Sequence, residues 1–364
     1  MKTLTAENVL AALRPVRDPE LDHSLVELGM IKDVRIEGGR VSFLVELTPP
    51  ACPLKAEIQA ACERAVAGLP GVTAVDVRFG AQVRGPAGTP GAENLIPTVK
   101  NTVLVASGKG GVGKSTVAVN LAVALARAGA RVGLLDADIY GPSIPIMMGI
   151  TERPTLNDEQ RIRPLAGHGI EVMSIGYLVD PDTAMIWRGP MLNGAVIQLL
   201  RDVAWGELDY LVIDLPPGTG DVQLTVAQRV PVTGAVIVTT PQAVALADVV
   251  RAKMMFDKVN IPTLGLVENM AGFVCPSCSA VHDIFARGGG EKAAADLAIS
   301  FLGSIPIDPR IRAGGDGGTP MVVSDPDSPA SAAFFRTASL LAGKISVHVA
   351  QSGAGHIPIR VIAG

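Results

Sequence analysis

The sequence predicts an α/β protein: a doubly wound parallel sheet with a small α/β unit in front of it. Three observations lead there. From Val99 onward, short apolar segments alternate with longer stretches of helical spacing, the pattern of repeated strand–helix–strand units. Several of those segments are apolar along their whole length, as strands covered on both faces are. A glycine-rich turn, Gly108 to Ser115, directly follows the first segment and opens a helix.

The front unit spans residues 1–80. Ala6 to Leu13 has helical spacing. Ile31–Ile36 and Val41–Leu47 read as strands joined by a turn at Glu37-Gly38-Gly39. Pro53 suits the first position of a helix running to Ala67, and Val72–Phe79 reads as a last strand, giving the order α-β-β-α-β. Residues 81–98 read as an exposed linker, since Gly80–Thr98 holds four glycines and three prolines and few large apolar residues. The main unit spans 99–350. Its expected strands are Thr102–Ala106, Arg131–Leu135, Glu171–Ile175, Tyr210–Asp214, Ala235–Thr239, Thr263–Glu268 and Phe301–Gly303. Its expected helices are Lys114–Ala128, Asn193–Val203, Val222–Val230, Ala243–Val259, Glu291–Ala298 and Ala330–Ala342. Residues 351–364, with three glycines and a proline after Ser352, read as a flexible tail.

Composition narrows the function. The chain has 364 residues, 48% hydrophobic and 18% charged, which is globular rather than disordered. A net charge of −4 gives no global basic excess, so neither nucleic acid nor an anionic membrane is an expected partner. No apolar run is long enough to span a bilayer. The first twenty residues mix acids and bases without a secretory pattern, so a cytoplasmic location is expected. Four cysteines in a chain this long do not make a disulfide framework.

Gly108-Lys109-Gly110-Gly111-Val112-Gly113-Lys114-Ser115 fits the phosphate-loop pattern G-x-x-x-x-G-K-S/T in the strand–turn–helix context it needs. Glycines let the backbone curl so that its N–H groups face phosphate oxygens at the positive end of a helix. Lys114 reaches the β- and γ-phosphates of ATP, Ser115 ligates Mg²⁺, and Thr116 adds a hydroxyl near the α-phosphate. Two acidic strand ends complete the site. Asp214 ends an apolar strand where P-loop proteins place a Mg²⁺-coordinating carboxylate, and Gly218 just after it could offer an N–H to the γ-phosphate. Asp136 and Asp138 end another strand, and Asp138, beyond the strand proper, is the better candidate for orienting an attacking water. Lys114 and Asp138 are thus the expected catalytic groups.

Lys109 is a second lysine at the start of the loop. With it, the loop resembles the deviant phosphate loop of the ParA/MinD and nitrogenase iron-protein superfamily. That resemblance implies a homodimer in which Lys109 crosses to the partner's nucleotide and acts on the transferring phosphoryl group as an arginine finger does.

Cys275-Pro276-Ser277-Cys278 is a single C-x-x-C pair. Two thiolates fill neither a tetrahedral zinc site nor a whole cluster. Three completions are open: a second pair from a symmetric partner, other ligands such as His282, or a redox disulfide without metal. On a twofold axis, four thiolates suit a 4Fe–4S cluster, or zinc in the same site. Cys52, just before Pro53, is a thiolate candidate at a helix N-terminus, whereas Cys62 reads as a buried packing residue.

Over nearly its full length the chain resembles the Mrp/ApbC iron–sulfur cluster carrier ATPases. The segments that carry this are Ser107–Thr116, Asp136–Ser143, Trp187–Met191, Asp214–Asp221, Glu268–Met270 with Cys275 and Cys278, Gly288–Gly290 and Gly303–Arg312. The front unit, through Asp18-Pro19-Glu20 and Thr48–Pro53, resembles the small iron–sulfur assembly domain often fused to these carriers. The resemblance implies ATP hydrolysis, delivery of the cluster to apo iron–sulfur proteins, an assembly scaffold as donor, and adenine contact by Asn269. Two other readings compete. One is a MinD/ParA-like positioning switch, which would need a basic amphipathic helix or face that the tail, with its single arginine, does not supply. The other is a zinc-stabilised, nucleotide-gated scaffold.

Overall fold

The computed structural model describes residues 4–18, 23–47, 55–81, 83–85, 94–179, 189–275, 278 and 280–353. Expectations resting on Pro19, Glu20, Thr48–Pro53 (Cys52 among them), Trp187, Arg188 and residues 354–364 lie outside the described residues.

In the front unit, α1 (Ala6–Leu13) is followed by a two-residue ladder of β1 (Arg17–Asp18) with β2 (His23–Ser24). Then come β3 (Ile31–Glu37), β4 (Arg40–Leu47), α2 (Lys55–Ala67) and β5 (Ala74–Ala81). Thr5 caps α1 reciprocally with Asn8, each side chain accepting from the other's backbone N–H. The β3–β4 hairpin closes through Gly38-Gly39, with φ of 54° and 87°, the two left-handed positions that a two-residue hairpin turn requires. After the α2 crossover, β5 pairs parallel to β4. Alternate residues of β4 (Val41, Phe43, Val45, Leu47) pack with Ile58, Cys62 and Val66 of α2 and Val9 and Leu13 of α1 into one core.

The main unit runs β6 (Val99–Ala106), α3 (Lys114–Arg127), β7 (Val132–Asp136), α4 (Ile144–Met148), β8 (Leu165–Gly167), β9 (Ile170–Ser174) and α5 (Gly189–Arg201). It continues with β10 (Leu208–Asp214), α6 (Asp221–Arg229), β11 (Val232–Thr239), α7 (Ala243–Lys258), β12 (Thr263–Glu268) and a hairpin of β13 (Phe273–Val274) with β14 (Val281–His282). It ends with α8 (Gly289–Asp296), β15 (Phe301–Ser304), α9 (Pro309–Asp316), α10 (Met321–Ser324) and α11 (Pro329–Gly353). Eight strands form one sheet in the order β15-β12-β11-β6-β10-β7-β9-β8. All pairs are parallel except β8 with β9, an antiparallel edge that departs from a purely parallel sheet. From β6 the chain crosses to β7 on one side, and after β10 it returns to the far side of β6. That reversal opens a crevice at the carboxyl ends of the central strands.

Both faces are covered, which is why the strands are largely apolar. Val103 and Val105 of β6 pack toward α3 and α11, while Leu104 and Ala106 pack toward α5, α6 and α7. The short elements β1, β2, β8, β13, β14, α4 and α10 carry too few residues for a period of their own, and the sequence reading lacks them. Helix α11 runs to Gly353, past the expected stop at Ala342, so the expected tail from Gln351 begins inside a helix. Ile345 and Val349 lie one and two turns beyond Leu341 on its buried face, and their burial outweighs the helix-weakening Gly343. The expected linker is also not exposed at its ends: Val83 and Ile96 are buried, and the Arg84 carbonyl accepts from the Asn101 side chain.

At the amino ends of the central strands Asp209 ties three segments together. It accepts from Lys100 Nζ at 2.8 Å and from the Arg131 backbone N–H at 2.9 Å, with the Arg131 guanidinium alongside. Burial alone would raise this carboxyl, but those donors overcome it and hold it below the ordinary aspartate value. Asp209→Ala is expected to lower unfolding stability by about 1–3 kcal/mol in urea titrations. Because the folded value is depressed, the native protein's advantage from Asp209 is complete above the unfolded aspartate value of about 3.9 and fades as pH falls below it. The gap between wild type and variant should therefore narrow at low pH.

Candidate functional site: a phosphate loop and a thiol hairpin

The loop between β6 and α3 is built for close approach. Gly111 and Gly113 have φ of 79° and 80°, positions that an L side chain rarely adopts. A Cβ at Gly108 would collide with the backbone and Cβ of Asp248 on α7. Ser107 Oγ donates to the Lys109 carbonyl at 2.9 Å and braces the turn. Gly110 and Gly111 form an exposed crest, whereas Val112 is buried. Gly113 caps α3 without a side-chain acceptor, so the first N–H groups of this 14-residue helix are left for an anion.

Strand register brings the acids to this loop. Asp214 of β10 is the Cα partner of Val105 on β6 and of Asp136 on β7, so both carboxylates stand beside the loop's root. Lys114 Nζ lies 2.6 Å from Asp214 Oδ1, 3.3 Å from Ser115 Oγ and 3.9 Å from Asp138 Oδ2. Asp214 is fully buried, and burial pushes its carboxyl upward against the pull of Lys114. Its Oδ2 is buried and accepts no hydrogen bond. That orphan oxygen and the Ser115 hydroxyl fit a Mg²⁺ ion, a hard cation that takes oxygen ligands.

Asp136 and Asp138 divide their work. Asp136 is buried and pushed up to about 8, by burial first and then by the charge of Asp214. It accepts from Ser174 Oγ at 2.9 Å, from Asp138 N–H at 3.1 Å and from Ile144 N–H at 3.4 Å. It therefore holds the turn that leads into α4. Asp138 is partly exposed and faces Lys114, with its carboxyl raised chiefly by burial. Ser174, which fixes Asp136 from a neighbouring strand, carries no motif and was not foreseen.

Two expected nucleotide contacts are directed elsewhere. The Gly218 N–H donates to the Ser107 carbonyl at 2.9 Å rather than toward a phosphate, because the left-handed turn at Gly218 folds it back onto the loop. Asn269 is buried, and its Nδ2 donates to the Val112 carbonyl at 2.9 Å rather than to a base edge. Lys109 is half-buried and makes no ion pair among the described residues.

Cys275 and Cys278 sit at the tip of the β13–β14 hairpin. The pairs Phe273–His282 and Val274–Val281 lead up to it, and Cys275 N–H donates to the Ala280 carbonyl at 2.9 Å. Cys278 is exposed and Cys275 half-buried. Val274 and Val281, the last ladder pair below the thiols, are exposed (46% and 54%), as are Ile284 and Phe285 just beyond β14, a feature that sequence reasoning missed. Among the described residues no group of three or more His, Cys, Asp or Glu side chains is placed to hold a metal, so His282 does not complete a set with the two cysteines. Cys62 lies in the front core, its thiol pushed up to about 11 by burial and by Glu63.

Residues 98–342 match the family described as NUBPL iron-transfer P-loop NTPase, and residues 6–77 match the iron–sulfur cluster assembly protein family. The chain is 52% identical over 349 residues to an iron–sulfur cluster carrier protein of Synechocystis, covering 94% of this chain and 99% of that protein. It is 44% identical over 343 residues to the carrier of Escherichia coli K12, covering 93% and 91%. Among solved structures it is similar to a nucleotide-binding protein from Archaeoglobus fulgidus in complex with ADP. That match has 43% identity and a TM-score of 0.55, over 61% of this chain and 87% of that one. It is also similar to the Pyrococcus furiosus cell division ATPase MinD, with 25% identity and a TM-score of 0.50, over 66% and 97%.

Lys114→Ala would leave Asp214 buried without its cation. Nucleotide binding should be lost, and stability should fall by about 3–5 kcal/mol. Adding Asp214→Asn should recover part of the stability without restoring binding. Urea unfolding and calorimetric ATP titration of the two variants check both statements.

Proposed function

Because the chain belongs to the family of iron-transfer P-loop NTPases and carries an iron–sulfur cluster assembly domain in front, we propose that it is an ATP-hydrolysing carrier that binds a 4Fe–4S cluster between two subunits and hands it to apo-proteins. The observation that carries this reading is the thiol pair on a hairpin whose ladder pair Val274–Val281 is exposed, with no group of three or more metal-ligating side chains among the described residues. Two such hairpins on a twofold axis bring four thiolates together, the number a 4Fe–4S cluster takes, and bury these valines against each other. The cluster is cargo: an assembly scaffold is its donor and apo iron–sulfur proteins are its recipients. Zinc, which also accepts four thiolates, competes for the same site.

The nucleotide half of the cycle follows from the loop. Backbone N–H groups of Gly108 to Ser115 and the start of α3 receive the phosphates, with Thr116 beside the α-phosphate. On nucleotide entry Lys114 turns from Asp214 to the β- and γ-phosphates. Ser115 and Asp214 would hold Mg²⁺, which supplies positive charge at the phosphate oxygens. Asp138 accepts a hydrogen bond from the attacking water and orients it. Lys109, unpaired within its own chain's described residues, reaches the partner's nucleotide. The work needs no membrane or nucleic acid, and among the described residues no helix is long and apolar enough to cross a membrane.

Anaerobic reconstitution with iron and sulfide should give about one cluster per dimer. Ala at Cys275 or Cys278 should abolish cluster binding and transfer while ATP still binds, and Cys62→Ala should leave the cluster intact. A full cluster on a monomer would refute the reading. Lys109→Ala and Asp138→Asn should each lose ATPase activity, and mixing the two should restore part of it. One composite site in each heterodimer then keeps both groups. No recovery in proven heterodimers would place Lys109 in its own subunit's site.

A further inference from the structure

The end of β12 touches two places at once. Asn269 anchors the phosphate loop through the Val112 carbonyl, and a Cβ at Gly113 would collide with Asn269 Nδ2 and lie 3.6 Å from Met270 Cε. The loop's last glycine is therefore shaped around Asn269. The preceding residue, Glu268, is fully buried and has no cationic partner among the described residues. Its Oε1 accepts from the Gly288 N–H at 2.9 Å and its Oε2 accepts from the Gly290 N–H at the start of α8. A Cβ at Gly290 would press on the Glu268 side chain at 2.9 Å. A buried carboxylate without a counter-ion is costly, and here only backbone donors compensate it.

Between these two grips lies the segment Met270–Arg287, which carries the thiol hairpin. Adjacent residues thus hold both its ends: Asn269 ties the departing end to the phosphate loop, and Glu268 clasps the returning end. Near those ends Met270 and Ala286 take φ of 59° and 70°, left-handed conformations that cost a non-glycine residue energy and recur at switch positions. Further in, the segment rests on β15's exit, where Ala271 N–H donates to the Ile305 carbonyl at 2.9 Å and Ile307 N–H to the Gly272 carbonyl at 2.8 Å.

We propose that Glu268 and Asn269 are positioning residues that couple nucleotide occupancy of the loop to the placement of Cys275 and Cys278. Phosphates drawing the loop's N–H groups inward shift the Val112 carbonyl, Asn269 follows it, and the hairpin turns about Met270 and Ala286. Glu268 fixes the returning end so that this turn reaches the thiols. The coupling rests on the nucleotide reading of Gly108–Thr116 and not on the identity of the cargo.

The test uses the full chain, reduced and without metal. N-ethylmaleimide labelling is followed peptide by peptide with mass spectrometry, with and without saturating ADP and Mg²⁺, and calorimetry verifies nucleotide occupancy. Cys62, buried and with its thiol pushed up to about 11, serves as the slow internal reference. In wild type, ADP should change the labelling rate of Cys275 or Cys278 by about fivefold or more, the lower end of usual coupling between sites. In Glu268→Gln, which keeps the phosphate loop intact, ADP should bind and the rates with and without it should converge. Asn269→Ala at verified occupancy should behave alike, and Glu268→Gln decides alone should that variant not fold. An undiminished response in Glu268→Gln would overturn the proposal. ADP binding to wild type with no change in either rate would also overturn it, while leaving the nucleotide reading intact. Absence of ADP binding to wild type would overturn both.

Discussion

Lys114 stands 2.6 Å from a carboxylate that has no exposure to water, and much of the main unit is arranged to make that contact. A lone ion at that depth is several kcal/mol unfavourable, so the pair needs its partners at fixed places. Lys114 is fixed as the first residue of α3, directly after the glycine turn. Asp214 is fixed by the register of β10 between β6 and β7. The same register sets Asp136 beside Asp214, and two such neighbours do not both ionise cheaply. Asp136 takes the raised pKa, while three donors hold its carboxyl in place as a strut for the turn carrying Asp138. A one-residue slip of β10 would carry Asp214 to the opposite face of the sheet, away from Lys114.

The second half of the chemistry hangs from the far side of the same sheet. Strand β12 is two places from β6 in the sheet, yet its last residues reach both the phosphate loop and the base of the thiol hairpin. The phosphate loop and the thiol hairpin are therefore neighbours through the backbone, without a long chain of contacts between them. The front unit has its own core of β4, α1 and α2.

Much of this was legible in the sequence for physical reasons. Doubly covered strands show as apolar runs, as Tyr210–Ile213 does, and the phosphate loop shows because glycine and lysine are irreplaceable there. The Gly38-Gly39 turn was readable because left-handed positions demand glycine. Other features were hidden. Ser174 matters only because β9 lies beside β7, and Asn269 meets Val112 across 157 positions of sequence. The burial of Ile345 and Val349 that extends α11 depends on a surface built by distant strands. Helix α9 did carry a local signal, Asp308 accepting from the Arg310 N–H ahead of Pro309, which the sequence reading passed over.

The sheet's two borders bear on how the molecule keeps its companions few. One border is β8, three residues long and antiparallel, and the other is β15, four residues long. Such stubby margins offer little unsatisfied backbone for another chain to zip onto. A molecule that leaves apolar side chains such as Val274 and Val281 exposed beside its thiol hairpin thereby closes another sticky route to self-assembly. Stray polymerisation is curbed at the flanks of the sheet.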